Sequence, residues 1–150
     1  MSEFLRHFAQ RFASLDAAHL HQLAELYHED ILFRDPLHEI QGLAALQRYF
    51  AELYSNVREL RFDVYAFDTL REGEGYLRWT MSYRHPRLAG DALIRVDGCS
   101  HLLWRDGQVY RHRAYFDTGA LLYEHLPLLG RLIAWLKRRL ACAGRNNGSG

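Results

Sequence analysis

Residues Ile31–Gly42 read ILFRDPLHEIQG, and this stretch decides how the rest of the chain is read. Three apolar residues run into Arg34-Asp35-Pro36, and Gly42 then opens a helical pattern. A residue before proline is pushed away from helical backbone toward extended geometry. Ile31–Phe33 is therefore read as a short strand that ends in a turn at Asp35. A turn needs only a polar side chain there, to bond nearby backbone N–H groups. A pocket at the strand end has another use for the same carboxylate, as a proton acceptor. Period two places Arg34 on the opposite face, so that guanidinium is not expected to reach Asp35.

Upstream of this stretch the spacing is helical. Phe4, Leu5, Phe8, Phe12 and Leu15 fall on one face of a helix over residues 3–15. Asp16 reads as the N-cap of a second helix over residues 17–30, with Leu20, Leu23 and Tyr27 inward. Downstream, GLAALQRYFAELY is a third helix with the stripe Leu43, Leu46, Phe50 and Leu53. Then the period changes to two. LRFDVYAF reads as a strand and REGEG as its turn. In YLRWTMSYRH, Leu77, Trp79, Met81 and Tyr83 alternate with Arg78, Thr80, Ser82 and Arg84. ALIRVDGCSHLLW places Ile94, Val96, Ser100, Leu102 and Trp104 on one face, and Arg95, Asp97 and His101 on the other. The Asp-Gly of RDGQ marks a tight hairpin into VYRHRAYF. Parity leaves that last strand open between Tyr110, His112, Ala114 and Phe116 facing inward, and Val109, Arg111, Arg113 and Tyr115. Residues 118–144 read as helical, interrupted near Pro127 and Gly130. Helices, about four long antiparallel strands in a meander, and a helical end predict an α+β layer, with helices on one face of a curved sheet.

With 150 residues, 49% of them apolar and 25% charged, the chain fits one ordinary globular domain. Residues 1–143 are assigned to it, and the polar, glycine-rich end from residue 144 to residue 150 is expected to be disordered. A net charge of +1 gives no basic field for nucleic acid, and none is expected as a partner. Cys99 and Cys142 form neither a disulfide framework nor a zinc spacing. With an N-terminus that lacks an apolar signal core, they predict a cytoplasmic location. His19 and His21 are two apart on the expected helix and point in different directions. No metal and no cofactor is expected.

The segments FRDPLHEIQGLAALQRYF, LRWTMSYRHP, VDGCSHLLWRDGQVYRHRAYFDTGALLYEHLPLLG and LIAWLKRRL resemble the SnoaL-like family of the nuclear-transport-factor-2-like superfamily, relatives of ketosteroid isomerase. The resemblance runs over nearly all of residues 3–140. It implies a cone of strongly curved antiparallel sheet packed on N-terminal helices, plus a C-terminal helix. One fold hosts many functions, and this superfamily includes isomerases, cyclases, dehydratases, epoxide hydrolases and proteins with no known chemistry.

Ketosteroid isomerase uses an aspartate base and an oxyanion hole of tyrosine and protonated aspartate. The resemblance puts Asp35 at the base. At the tyrosine position it puts Phe12, which cannot donate, and at the acid position Ser100, before His101. Steroid isomerisation is thereby disfavoured, while other acid–base chemistry stays open. The same resemblance points Trp79, Met81, Tyr83, Leu102, Trp104, His112, Ala114 and Phe116 into the cone. Phe12 and Phe50 join them as ligand-lining candidates. His112, a side chain that titrates near neutral pH, and Asp117, in a motif position where SnoaL-like cyclases keep a late acid–base aspartate, complete the catalytic candidates. His112 could equally belong to a basic outer face beside Arg111 and Arg113, and His38 could face the pocket mouth or solvent.

Two functions follow from these residues. One is an enzyme that binds a small hydrophobic molecule and uses Asp35 as an acid–base isomerase, cyclase or hydrolase. The other is a non-catalytic ligand-binding or dimerisation module. The family commonly pairs through the outer sheet face, so a homodimer is expected there, through Arg78, Arg84, Arg95, Asp97, His101 and Arg111. An open cavity of about 300 Å³ with Asp35 inside favours a ligand, and a filled cone with Asp35 capped by backbone favours the module. The C-terminal helix carries Arg131, Lys137, Arg138 and Arg139 opposite Leu132, Ile133, Leu136 and Leu140. Such a helix can lie on an anionic membrane, but packing on the domain or a partner subunit, with a solvated basic face, is the preferred reading.

Overall fold

The computed structural model describes residues 3–86, 89–119 and 134–141. A mixed sheet of six strands curves around the apolar face of the N-terminal helix. That helix, α1 (Glu3–Ala13), buries Leu5, Phe8, Ala9 and Phe12, the stripe that its spacing requires. A 3₁₀ turn (Leu20–Gln22) and the short α2 (Leu23–Leu26) lead into β1 (Tyr27–Arg34). After β2 (Glu39–Gln41), α3 (Leu43–Asn56) buries Leu46 and Phe50. Then come β3 (Arg58–Arg71), β4 (Glu74–Arg84), β5 (Ile94–Arg105) and β6 (Gln108–Phe116). The sheet order is β2-β1-β6-β5-β4-β3. The last four strands form the expected antiparallel meander, and β1 extends the sheet by pairing parallel to β6.

The alternation read from the sequence is observed through Leu102, while Trp104, beyond a shift in the β5–β6 register, is only partly buried and does not line the cavity. Leu77, Trp79, Met81 and Tyr83 of β4 are buried, as are Ile94, Val96, Ser100 and Leu102 of β5. The hairpin between β5 and β6 turns on Asp106 and Gly107, both with positive φ (52° and 77°). Those angles suit a two-residue turn that follows the strand twist.

Two expectations about the second helix are corrected. The second helix is not continuous over residues 17–30: Tyr27–Asp30 belong to β1. Tyr27 pairs with Val109 across the sheet and its side chain is fully buried, so a long-range ladder overrides local helical spacing. Asp16 does not cap that helix. It accepts Ala18 N–H at 3.0 Å in a turn. The sheet is also not wholly antiparallel, because β1 runs parallel to β6.

The β6 parity is settled inward for His112 and Ala114. Val109 is inward too, because a bulge shifts the register between Leu103 and Trp104. Such an extra residue switches the faces, which is why strict alternation could not decide this strand. Residues 134–141 are helical. Residues 120–133 and 142–144 of the expected C-terminal helical stretch, and the tail, lie outside the described residues. Among the described residues no helix is long and apolar enough to cross a membrane.

Candidate functional site

The curved sheet, α1 and α3 line an apolar cavity of about 80 Å³. Its wall includes Phe8, Phe12, Phe33, Phe50, Phe62, Trp79, Met81, Ala114 and Phe116. The side chains that bring polar atoms to it are Asp35, Tyr49, Trp79, Ser100 and His112. By the measure in which one water takes roughly 10–15 Å³, about half a dozen water-sized groups fit. Tyr83 and Leu102 are buried in the core but do not line the cavity. Burial pushes the Tyr83 phenol up to about 12.

Asp35 directly follows β1, and its side chain is only 1% exposed. Oδ1 accepts the backbone N–H groups of Leu37 (2.8 Å) and His38 (2.7 Å). Oδ2 accepts the Tyr49 hydroxyl at 2.7 Å. The His38 ring Nδ1 sits 3.1 Å from Oδ1 and 3.3 Å from Oδ2. The Asp-Pro turn thus uses one carboxylate oxygen, and the other bonds Tyr49 on the cavity wall. Arg34 is exposed on the other face, 3.9 Å from Glu39. Tyr49 is held well above the ordinary tyrosine range by burial first, then by its bond to Asp35 and that carboxylate's charge.

A second polar group also lines the cavity. Trp79 Nε1–H donates to Ser100 Oγ at 2.9 Å. The His112 Nε2 is 3.0 Å from the same Oγ, and its Nδ1 is 2.8 Å from the Tyr27 hydroxyl. Gly98 makes room for this arrangement: the Trp79 ring lies where a Cβ on that residue would meet it at 2.3 Å. Burial pulls the His112 imidazole down to about 3, with the Asp35 charge opposing. It is therefore neutral at physiological pH, against an ordinary histidine value of about 6.5.

That shift has a sign. Between about 6.5 and about 3 the unfolded chain binds a proton at His112 that the folded chain does not, so stability falls as pH is lowered through this window. The slope is at most about 1.4 kcal/mol per pH unit. Urea unfolding at pH 7 and pH 5 checks it: His112→Gln is expected to lose less stability over that interval than the parent, and equal losses would contradict the assignment.

Asp117 lies outside the cavity, accepting Gly119 N–H at 2.8 Å and pairing with Lys137 at 3.3 Å. His38 stands at the turn, with its side chain about half exposed. Arg78, Arg84 and His101 pair within the chain, with Asp68, Glu59 and Glu74. Among the described residues no His, Cys, Asp and Glu group is arranged to hold a metal ion. Sequence reading missed Tyr49 and Tyr27. Tyr49 was hidden because a helix brings it to Asp35 from 14 residues away, and Tyr27 because it was assigned to the wrong element.

The comparisons with known proteins agree with this architecture. TsrD from Streptomyces laurentii superposes with a TM-score of 0.70 at 17% identity, covering 85% of this chain and 98% of that one. A protein of ketosteroid isomerase-like fold from Catenulispora acidiphila DSM 44928, in complex with trimethylamine, gives 0.67 at 11%, covering 87% and 94%. A structure described as a SnoaL-like polyketide cyclase from Shewanella putrefaciens CN-32 gives 0.66 at 13%, covering 81% and 94%. A search of curated proteins finds no match. At these identities the likeness to solved structures shows the fold alone. The profile of the SnoaL-like domain matches residues 5–112, from α1 through the curved sheet to His112, and the chain belongs to the SnoaL-like family.

Proposed function

We propose that the cone binds a small, mainly apolar carbonyl compound and that Asp35 moves a proton at the carbon beside the carbonyl. The observation that carries this reading is a buried carboxylate on the wall of an otherwise apolar cavity whose lining also includes Ser100 and His112. A carboxylate offers about four acceptor sites. Two backbone N–H groups and one phenol take three, and the fourth is open to a proton when the His38 Nδ1 beside it carries no hydrogen. In the step, the C–H proton goes to Asp35 and the bonding pair moves to the carbonyl oxygen as an enolate. Return of the proton to another carbon gives isomerisation, and attack of the enolate on a second carbonyl gives cyclisation. The cyclase description of the Shewanella relative fits the same opening step. General acid–base help of this kind is worth about 10²–10⁴ in rate.

A second reading, a binder without turnover, draws support from the cavity itself. About 80 Å³ is well below the 300 Å³ and more of drug-sized pockets, and Asp35 is already capped by Leu37, His38 and Tyr49. Both readings need an occupied cavity. Ala114 is buried and opposite Ser100 in the β5–β6 ladder. Ala114→Leu adds a branched side chain at this wall, and overpacking costs about 1–3 kcal/mol. It is expected to leave the fold intact and to weaken cyclohexanone binding at least about tenfold, read by calorimetry. Unchanged affinity would place the ligand elsewhere.

A further inference from the structure

Resting on the reading above, the hydrogen bonds around Ser100 narrow the ligand further. Tyr27 is fully buried and does not line the cavity. Among the described residues its hydroxyl has one partner, His112 Nδ1. Ser100 Oγ has two, Trp79 Nε1 and His112 Nε2. The indole N–H can only donate. A neutral imidazole carries one N–H, which leaves two ways to place the protons.

In the first, His112 carries its proton on Nδ1 and donates to the Tyr27 oxygen, while Ser100 donates to Nε2. The Tyr27 hydrogen is then sealed in the core with no acceptor, a desolvation penalty of about 1–3 kcal/mol. In the second, Tyr27 donates to Nδ1 and Nε2–H donates to Ser100. Both Ser100 lone pairs are then filled, by the indole and the imidazole, and the hydrogen left over is the serine's own. Ser100 lines the cavity, so this hydrogen is the one that an occupant can satisfy.

We infer that Tyr27 and His112 act as positioning residues that fix Ser100 as a hydrogen-bond donor to the cavity, so that the site takes apolar molecules bearing an acceptor, such as a ketone, enone or ether, at the Ser100 end. The relay also keeps this end uncharged, because burial disfavours the imidazolium. Tyr27 then contributes to specificity without touching the ligand.

The test has a part that needs no ligand. In ¹⁵N-histidine-labelled protein at pH 7, with His112 assigned by its loss in His112→Gln, the neutral Nε2–H tautomer is expected. Tyr27→Phe keeps the ring that packs on Phe8 and is expected to shift His112 toward the Nδ1–H form. An Nδ1–H tautomer in the parent overturns the proposal. The second part compares cyclohexanone with methylenecyclohexane, of the same shape but without the acceptor. The ketone-to-alkene affinity ratio is expected to fall about tenfold in Tyr27→Phe, and an unchanged ratio overturns the proposal. If neither probe binds the parent, the binding reading fails and the ligand class with it, while the tautomer result still decides the proton placement.

Discussion

Phe8→Ala is expected to destabilise the protein by about 3–5 kcal/mol, the range for removing a large core aromatic. Phe8 is 1% exposed and sits at the centre of the aromatic packing. Its ring centroid lies 5.6 Å from Tyr27 in an edge contact and 5.8 Å from Phe12. It also lies 6.5 Å from His112. Such pairs add about 0.5–1.5 kcal/mol beyond area burial. Two features set the cost near the top of the range. Phe8 already borders the cavity, so truncation enlarges an existing space instead of letting neighbours close in. The residues behind it also belong to the Tyr27–His112–Ser100 hydrogen-bond chain, whose geometry limits relaxation. Urea unfolding checks the value, and a loss below about 1 kcal/mol would show that α1 does not anchor the cone.

Asp35→Asn is expected to lower the rate of proton removal from a bound ketone by about 10²–10⁴ while leaving binding within a few-fold. Asparagine keeps the shape, and its side-chain oxygen can still accept the Leu37 and His38 N–H groups that define the turn. Its amide N–H₂ then faces the Tyr49 hydroxyl in place of Oδ2. That hydroxyl can rotate to accept from the amide. The substitution therefore removes the proton acceptor without emptying the site. Binding is followed through Trp79, whose ring lines the cavity. Loss of affinity together with rate would show that Asp35 serves the turn and the ligand's fit, not the chemistry.

Much of this architecture was legible in the residues, for reasons that differ by element. The alternation in β4 and β5 is long and has one wet face, so period two reads cleanly. The Asp106-Gly107 hairpin is local turn chemistry. The Asp35-Pro36 strand end follows from backbone sterics. What failed was non-local. Leu20, Leu23 and Tyr27 satisfy helical spacing, yet Tyr27 begins a strand because β6, more than 80 residues later, offers it a ladder and a buried partner in His112. The three residues of β2 carry too little pattern to be seen. The bulge beside Trp104 scrambled the faces of β6. In the site, Asp35, Ser100, His112, Trp79, Met81, Phe12, Phe50 and Phe116, all candidates from the sequence, border the cavity. The resemblance to the family supplied most of them, and strand parity alone supplied Trp79, Met81 and Ser100. Tyr49 and Tyr27, which hold the two polar ends in place, carried no local signal: each acts through a contact made only once the chain has folded.

Whether this protein moves a proton beside a carbonyl is tested most directly by deuterium exchange. Cyclohexanone is incubated in D₂O with the folded chain, and loss of the α-proton signal is followed by NMR against protein-free buffer. The account predicts faster exchange with the parent, a return to the buffer rate with Asp35→Asn, and the same return with Ala114→Leu, which keeps Asp35 but fills the cavity. Exchange no faster than in buffer with the parent, or undiminished in both variants, would contradict it.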